Sequence, residues 1–266
     1  MPIFAGIHST PRSHIAGMNL APLENLRGDY AGMAPDWTVP QQLDRYCDED
    51  QAVWRLLVER QSALARRYAC AEFVQGLDAL GIGEGIPDFE AVNARLEPLT
   101  GWRIVGVPGL IPDPAFYDHL AHRRFPVTVW IRTRAELDYL VEPDLFHDFF
   151  GHVPLLSNPV FADYMQLYGQ RALEAGAQIG LLARLYWYTV EFGLIRTPAG
   201  LKICGAGILS SAAEVKHAMF ATDVERLPFE ATSVMRRPYQ IDKLQSTYFV
   251  LDDFRQLFEA AQIRID

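Results

Sequence analysis

Glu142-Pro-Asp-Leu-Phe-His147-Asp-Phe-Phe-Gly-His152-Val-Pro154 places two imidazoles five residues apart in a mostly apolar stretch. On a regular helix, with about 3.6 residues per turn, positions five apart diverge by roughly 140°, against roughly 40° for positions four apart. The two rings converge only if the helix tightens, bulges or ends between them. Gly151 permits such a departure, and Pro154 biases Val153 away from helical geometry, so the chain is expected to leave the helix near His152. By themselves, two histidines read equally well as hydrogen-bonded interior side chains or as metal ligands.

A third group changes that balance. Leu181-Leu-Ala-Arg-Leu-Tyr-Trp-Tyr-Thr-Val-Glu191-Phe-Gly-Leu-Ile195 has helical character and, apart from Glu191, only Arg184 and Thr189 interrupt its apolar run. A buried carboxylate is costly unless it is paired or bound to a cation. Arg184 is two turns away, about 10 Å along the axis, which favours a metal over that pair. Two neutral imidazoles and one carboxylate leave three positions open on one face of an octahedral ion, the arrangement of iron(II) enzymes that activate dioxygen. A zinc hydrolase uses the same ligand types and stays open as the chemical alternative.

Outward from these segments the chain reads as predominantly α with minor β. Residues 1–40, rich in Pro and Gly without a sustained period, form an irregular arm, and residues 41–266 form a single domain. One long amphipathic helix is expected from residue 50 to about 80, ended by Gly81, Gly83 and Gly85, which read as a plain loop rather than a phosphate cradle. A short helix follows Pro87-Asp88, then a strand over 102–107, a helix over 114–121 and a strand over 125–132. Helices are expected at about 143–151, 158–176, 178–194, 209–219 and 252–262, with a small hairpin around Thr197-Pro-Ala-Gly200.

Composition narrows the function classes. With 266 residues, half of them apolar or aromatic, the chain can bury a sizeable core without disulfides. A net charge of −9 and a pI near 5.3 oppose a phosphate-collecting surface, so no nucleic-acid partner is expected. Cys47, Cys70 and Cys204 show no CxxC spacing and suit reduced, packed thiols. There is no signal-like N-terminus and no run of about 18 apolar residues, so a cytoplasmic protein without a membrane partner is expected.

EPDLFHDFFGHVPLL, LYWYTVEFGL and GAGILSS, in that order and spacing, resemble the catalytic domain of the aromatic amino acid hydroxylases, and within that family its short bacterial members acting on phenylalanine. The resemblance runs from about residue 37 to 257 and is strongest over 125–211. It implies that family's fold and a pterin-dependent monooxygenase that hydroxylates L-phenylalanine to L-tyrosine with O2 and a tetrahydropterin at iron(II). His147, His152 and Glu191 fall on the family's iron ligands. Arg132 falls on the arginine that binds the amino acid carboxylate, a task suited to a bidentate guanidinium. Ser210 falls on a serine that touches the first iron histidine and helps fix the substrate; without the resemblance it reads as a helix cap.

Ala183, Trp187 and Glu191 are four apart and on a regular helix share one broad face, so Trp187 can wall the substrate pocket while Ala183 leaves room for a cofactor. Tryptophan at this position accompanies phenylalanine or tyrosine preference in the family, whereas tryptophan hydroxylases carry a smaller aromatic. Phe116, following Gly109-Leu110-Ile111, corresponds to the pterin-stacking phenylalanine, with Ile111 beside it. Asp148 stands where animal relatives place glutamate, and Tyr186 is a further candidate to hydrogen-bond pterin or metal-bound water. Set against those relatives, the chain carries no long regulatory region or tetramerisation helix, so a monomer without substrate-activated allostery is expected. The rivals are a tryptophan hydroxylase of the same family, a zinc hydrolase with Asp148 as general base, and a metal-stabilised amino acid binding protein.

Overall fold

Apolar residues at helical spacing build the first layer of the computed structural model, which describes residues 26–263 apart from Tyr139, Val141 and Asp242. Helix α1 (Asp48–Tyr68) buries Val53, Trp54, Leu57, Val58, Gln61 and Ala65 as one stripe. The single helix expected over 50–80 is in fact two. The chain turns extended at Ala69 and Cys70 before α2 (Ala71–Leu80) begins. A tertiary bond accounts for the break: the Cys70 N–H donates to the Ile203 carbonyl at 2.8 Å, and Ala69 bridges the same residue. Periodicity carries no trace of it, because Tyr68, Ala69 and Cys70 continue the apolar pattern.

Asp88 caps α3 (Phe89–Thr100) by accepting from the Glu90 N–H. Strand β1 (Arg103–Val107), α4 (Asp113–Ala121) and β2 (Arg124–Thr128) then make a parallel pair with a helical crossover. β2 stops at Thr128 instead of reaching Arg132, because the Leu145 N–H takes the Trp130 carbonyl at 2.9 Å and pulls the following residues toward the histidine segment. Of the arm expected over 1–40, residues 1–25 lie outside the described residues. Residues 26–40 have no regular helix or strand and are tied down by Val39 N–H to the Gly106 carbonyl, Tyr30 OH to the Leu110 carbonyl, and the Arg27 guanidinium over the Trp130 ring.

A π-helical turn (His147–His152) leads into α5 (Val153–Leu156) and α6 (Pro159–Glu174), while α7 (Ile179–Tyr186) leads into a second π turn (Trp187–Glu191). The expected hairpin is β3 (Leu194–Thr197) with β4 (Gly200–Ile203), antiparallel. The helix expected over 209–219 is divided into α8 (Ala206–Leu209) and α9 (Ala212–Phe220), the latter capped by Ser211. Sequence patterning assigned nothing to β5 (Glu225–Pro228), α10 (Ala231–Arg236) or β6 (Thr247–Leu251), which precede α11 (Arg255–Gln262). β6 is parallel to both neighbours in a sheet of order β4-β3-β6-β5, and all its residues are buried. A strand covered on both faces shows no alternation, and such a short apolar run cannot be told from buried helix by periodicity. The architecture is mostly helical with two small sheets. Among the described residues, no helix is long and apolar enough to cross a membrane.

Candidate metal centre

The first π turn solves the spacing problem posed by two histidines five apart. A π turn hydrogen-bonds i to i+5, so it stacks positions that a regular helix sets apart. The imidazoles of His147 and His152 meet at a centroid distance of 5.1 Å and 84°, with their Nε2 atoms 3.4 Å apart. The helix does not end at His152 as expected: Val153 keeps helical angles, φ −63° and ψ −36°. Pro154 instead enters the first turn of α5, where a missing N–H is tolerated. Gly151 serves close packing more than helix breaking, since a Cβ there would lie 3.1 Å from both the Cβ and the carbonyl oxygen of Ala206 in α8. The intervening phenylalanines anchor the turn from behind: Phe149 packs edge-on to Trp54, Phe150 edge-on to Phe73, and Phe146 stacks on Phe150.

The second π turn brings in Glu191. Its Oε1 lies 3.3 Å from His152 Nε2 and its Oε2 3.8 Å from His147 Nε2. All three residues are buried, and one ligand atom from each lies within 4.8 Å of the others. Glu191 Oε2 is buried without a hydrogen-bond partner. Arg184, the alternative partner, donates to the carbonyls of Gly180 and Met235 instead. Burial opposes ionisation of Glu191, but His152 and His147 beside it hold its carboxyl below the usual range. Burial likewise pushes the His147 imidazole down to about 4. Neutral imidazole and ionised carboxylate are the protonation states a divalent cation requires, and a cation among these atoms would satisfy the orphaned oxygen.

Around this group the surroundings are ordered. Ser210 Oγ is 2.9 Å from His147 Nδ1; in the tautomer where Nδ1–H donates to the hydroxyl, Nε2 presents its lone pair to the ligand cluster. Asp144 accepts from the His147 N–H at 3.0 Å and takes a bidentate pair from Arg132, Nε at 2.9 Å and Nη2 at 2.8 Å. Burial would raise the Asp144 carboxyl, but Arg132 and the amides around it bring it below its usual range. Arg132 is 3% exposed, so its pair with Asp144 is a buried one. It also lines a small cleft together with Ser210.

The Asp148 carboxylate accepts from the Thr128 N–H at 2.9 Å, and burial pushes its pKa up to about 7. The rings of Phe125 and Tyr186 lie against His152 at 5.0 and 6.3 Å, and Phe116 stands edge-on to both Phe125 and Tyr186. Ile111 is half-buried in the loop ahead of α4, and Ala183 is half-buried one turn before Trp187. Trp187 does not keep regular four-residue spacing to Glu191, because the Phe192 N–H closes the wide turn on the Trp187 carbonyl at 2.9 Å. Its ring meets Phe192, five residues on, at 4.7 Å.

A sequence profile described as biopterin-dependent aromatic amino acid hydroxylase matches residues 13–263. The chain belongs to this family. Among members of the hydroxylase family, it is 51% identical to the phenylalanine-4-hydroxylase of Ralstonia nicotianae, covering 98% of this chain and 87% of that one. Against the enzyme of Chromobacterium violaceum it is 54% identical over 85% of this chain and 77% of that one. A crystal structure of the latter with iron(III) and 7,8-dihydrobiopterin superposes with a TM-score of 0.84, at 54% identity and with 86% and 84% of the two chains covered. One with iron and phenylalanine bound gives a TM-score of 0.83, covering 91% and 87%.

Four residues at this hydroxylase site were missed by sequence reasoning. Asp144 carried a usable signal, an acidic residue three positions before a histidine at a helix start. Thr128 contributes its backbone amide to Asp148, and Tyr239 and Gln245, which flank Trp187, lie in a loop without periodicity.

Proposed function

We propose that the chain is a phenylalanine 4-monooxygenase, converting L-phenylalanine to L-tyrosine with O2 and a tetrahydropterin at a mononuclear iron(II). His147, His152 and Glu191 would hold the metal. The observation that carries this reading is the orphaned Glu191 carboxylate oxygen facing two convergent imidazoles, one of them fixed by Ser210. Iron and the pterin together supply the reductive activation of dioxygen; the chain supplies binding, orientation and electrostatics.

Arg132 would take the amino acid carboxylate. Its Nε and Nη2 are held by Asp144, its Nη1 makes neither of those bonds, and the guanidinium is thereby fixed before substrate arrives. Trp187 would wall the aromatic ring. Phe116 would stack on the pterin, since it is half-buried and its described ring contacts are all edge-on, with Ile111 and Ala183 bounding the slot. Asp148, whose carboxyl burial pushes up to about 7, and Tyr186 would hydrogen-bond the pterin or nearby water. We further propose a cytoplasmic monomer, with the arm and residues 41–266 acting as one catalytic unit.

The test is anaerobic loading of apoprotein with iron(II), then oxygen with tetrahydropterin and each of phenylalanine, tyrosine and tryptophan, products identified by mass. Tyrosine formed only with both iron and pterin is the expected result. Preferential hydroxylation of tryptophan would assign the chain to that branch of the family. No oxygen incorporation despite bound metal would turn the reading toward a hydrolase or a binding protein.

A further inference from the structure

Trp187 is held differently from the other tryptophans whose indole bonds are described. Trp54, Trp102 and Trp130 each donate Nε1–H to a backbone carbonyl, the simplest way to satisfy a buried indole. Trp187 donates to a side chain, Gln245 Oε1, at 3.0 Å. Gln245 is itself 4% exposed and fully committed: its Nε2 donates to the carbonyls of Gln240 and Lys243, its N–H donates to Glu214 Oε1, and its carbonyl lies 3.1 Å from His217 Nε2. Glu214 is fixed in turn by Tyr248 OH. On the face of the indole, Tyr239 stacks at 4.3 Å and 14°.

A buried primary amide costs stability unless every donor and acceptor is used, so a glutamine bonded on all sides specifies one geometry. The amide staples the loop between Tyr239 and Gln245 onto itself and uses its remaining atom to hold the indole. Tyr188 OH, donating to the Pro238 carbonyl at 2.8 Å, ties the other end of that loop to the same π turn. Loop and pocket wall are therefore one mechanical unit.

We infer that Gln245, seconded by Tyr239, is the positioning residue that fixes the Trp187 wall and so sets the choice among aromatic amino acids. This rests on the reading of Trp187 as a wall of the phenylalanine pocket. Gln245→Met keeps length and volume while removing the amide. Losing one buried hydrogen bond to the wall is expected to raise KM for phenylalanine about tenfold with kcat nearly unchanged, and to lower the phenylalanine-over-tryptophan ratio of kcat/KM by about the same factor.

The deciding experiment is a double-mutant cycle of Gln245→Met with Trp187→Phe on the iron-loaded protein. It is read by kcat, KM, substrate ratio and anaerobic calorimetry of phenylalanine binding, with thermal midpoints as the check on folding. In the Trp187→Phe background the Gln245 substitution should change the ratio by less than about twofold, because its partner is gone. Tyr239→Leu, at a half-buried position, should reproduce the pattern if Gln245→Met folds poorly. An unchanged ratio in folded Gln245→Met, or an equal loss in both backgrounds, overturns the inference. A wild-type protein that hydroxylates no aromatic amino acid overturns the function reading instead. The clamp is then judged by calorimetry alone, where equal phenylalanine affinity of wild type and Gln245→Met overturns it.

Discussion

The two π turns use the same backbone device for different ends. In the first, the five-residue spacing brings together two ligand candidates, His147 and His152. In the second, the five-residue pair is Trp187 and Phe192, and Glu191 is delivered to the two histidines while the indole is handed to Tyr239 and Gln245. One widened turn converges two groups on a point. The other separates a candidate ligand, Glu191, from the Trp187 indole, which a regular helix would set on the same face. The lesson is that residue spacing in this chain has meaning only once the local turn is known.

The largest expected effect tests the point where the two turns meet. Glu191→Ala removes the only carboxylate of the group and should abolish iron-dependent turnover, with iron content of the purified protein falling far below one per chain. Normal activity in that variant would show that the second turn supplies no ligand. Next in size is Asp144→Ala, which strikes the first turn alone. It strips Arg132 of its buried partner and the His147 amide of its acceptor, so a loss of about 3–5 kcal/mol in chemical denaturation is expected. A cost under about 1 kcal/mol would mean that the pair is solvated in solution and does not anchor the turn.

Much of this site was legible because its chemistry is written in residue types. Glu191 stood out as a charge in an apolar run, and a buried charge needs a partner whatever the fold. His147 and His152 were legible as candidates, yet their spacing could only say that regular geometry fails between them, not that the helix widens rather than ends. The break at Ala69 and Cys70 and the strand Thr247–Leu251 were illegible for a related reason. Both depend on backbone bonds to distant residues, Ile203 in one case and Leu194 with Glu225 and their neighbours in the other, and backbone bonds leave no side-chain pattern. Gln245 was illegible likewise, since its side-chain bonds to Trp187, Gln240 and Lys243 exist only once the chain has folded.

Ser210→Ala sharpens the comparison at intermediate size. The first turn has a hydrogen bond to the ring of a candidate ligand, His147, and its loss should weaken iron affinity by about 10–100-fold while leaving the fold intact. Competition against a chelator of known affinity measures it directly. Unchanged affinity would place the ring's orientation in the aromatic packing of the turn instead.

The smallest effect concerns a residue inside the first turn that is not a ligand. Burial raises the Asp148 carboxyl from 3.8 to about 7. Between those values the folded apoprotein binds a proton at this position that the unfolded chain has largely released. The contribution of Asp148 to stability is therefore fully present below pH 3.8, declines as the pH rises, and is lost by the time it passes about 7. Asp148→Asn keeps an acceptor for the Thr128 N–H but cannot ionise. Denaturant midpoints of wild-type and Asp148→Asn apoprotein, compared across this interval, should diverge in favour of the variant as pH increases. Parallel curves would mean that water reaches the carboxyl and that the first turn is more open than the second.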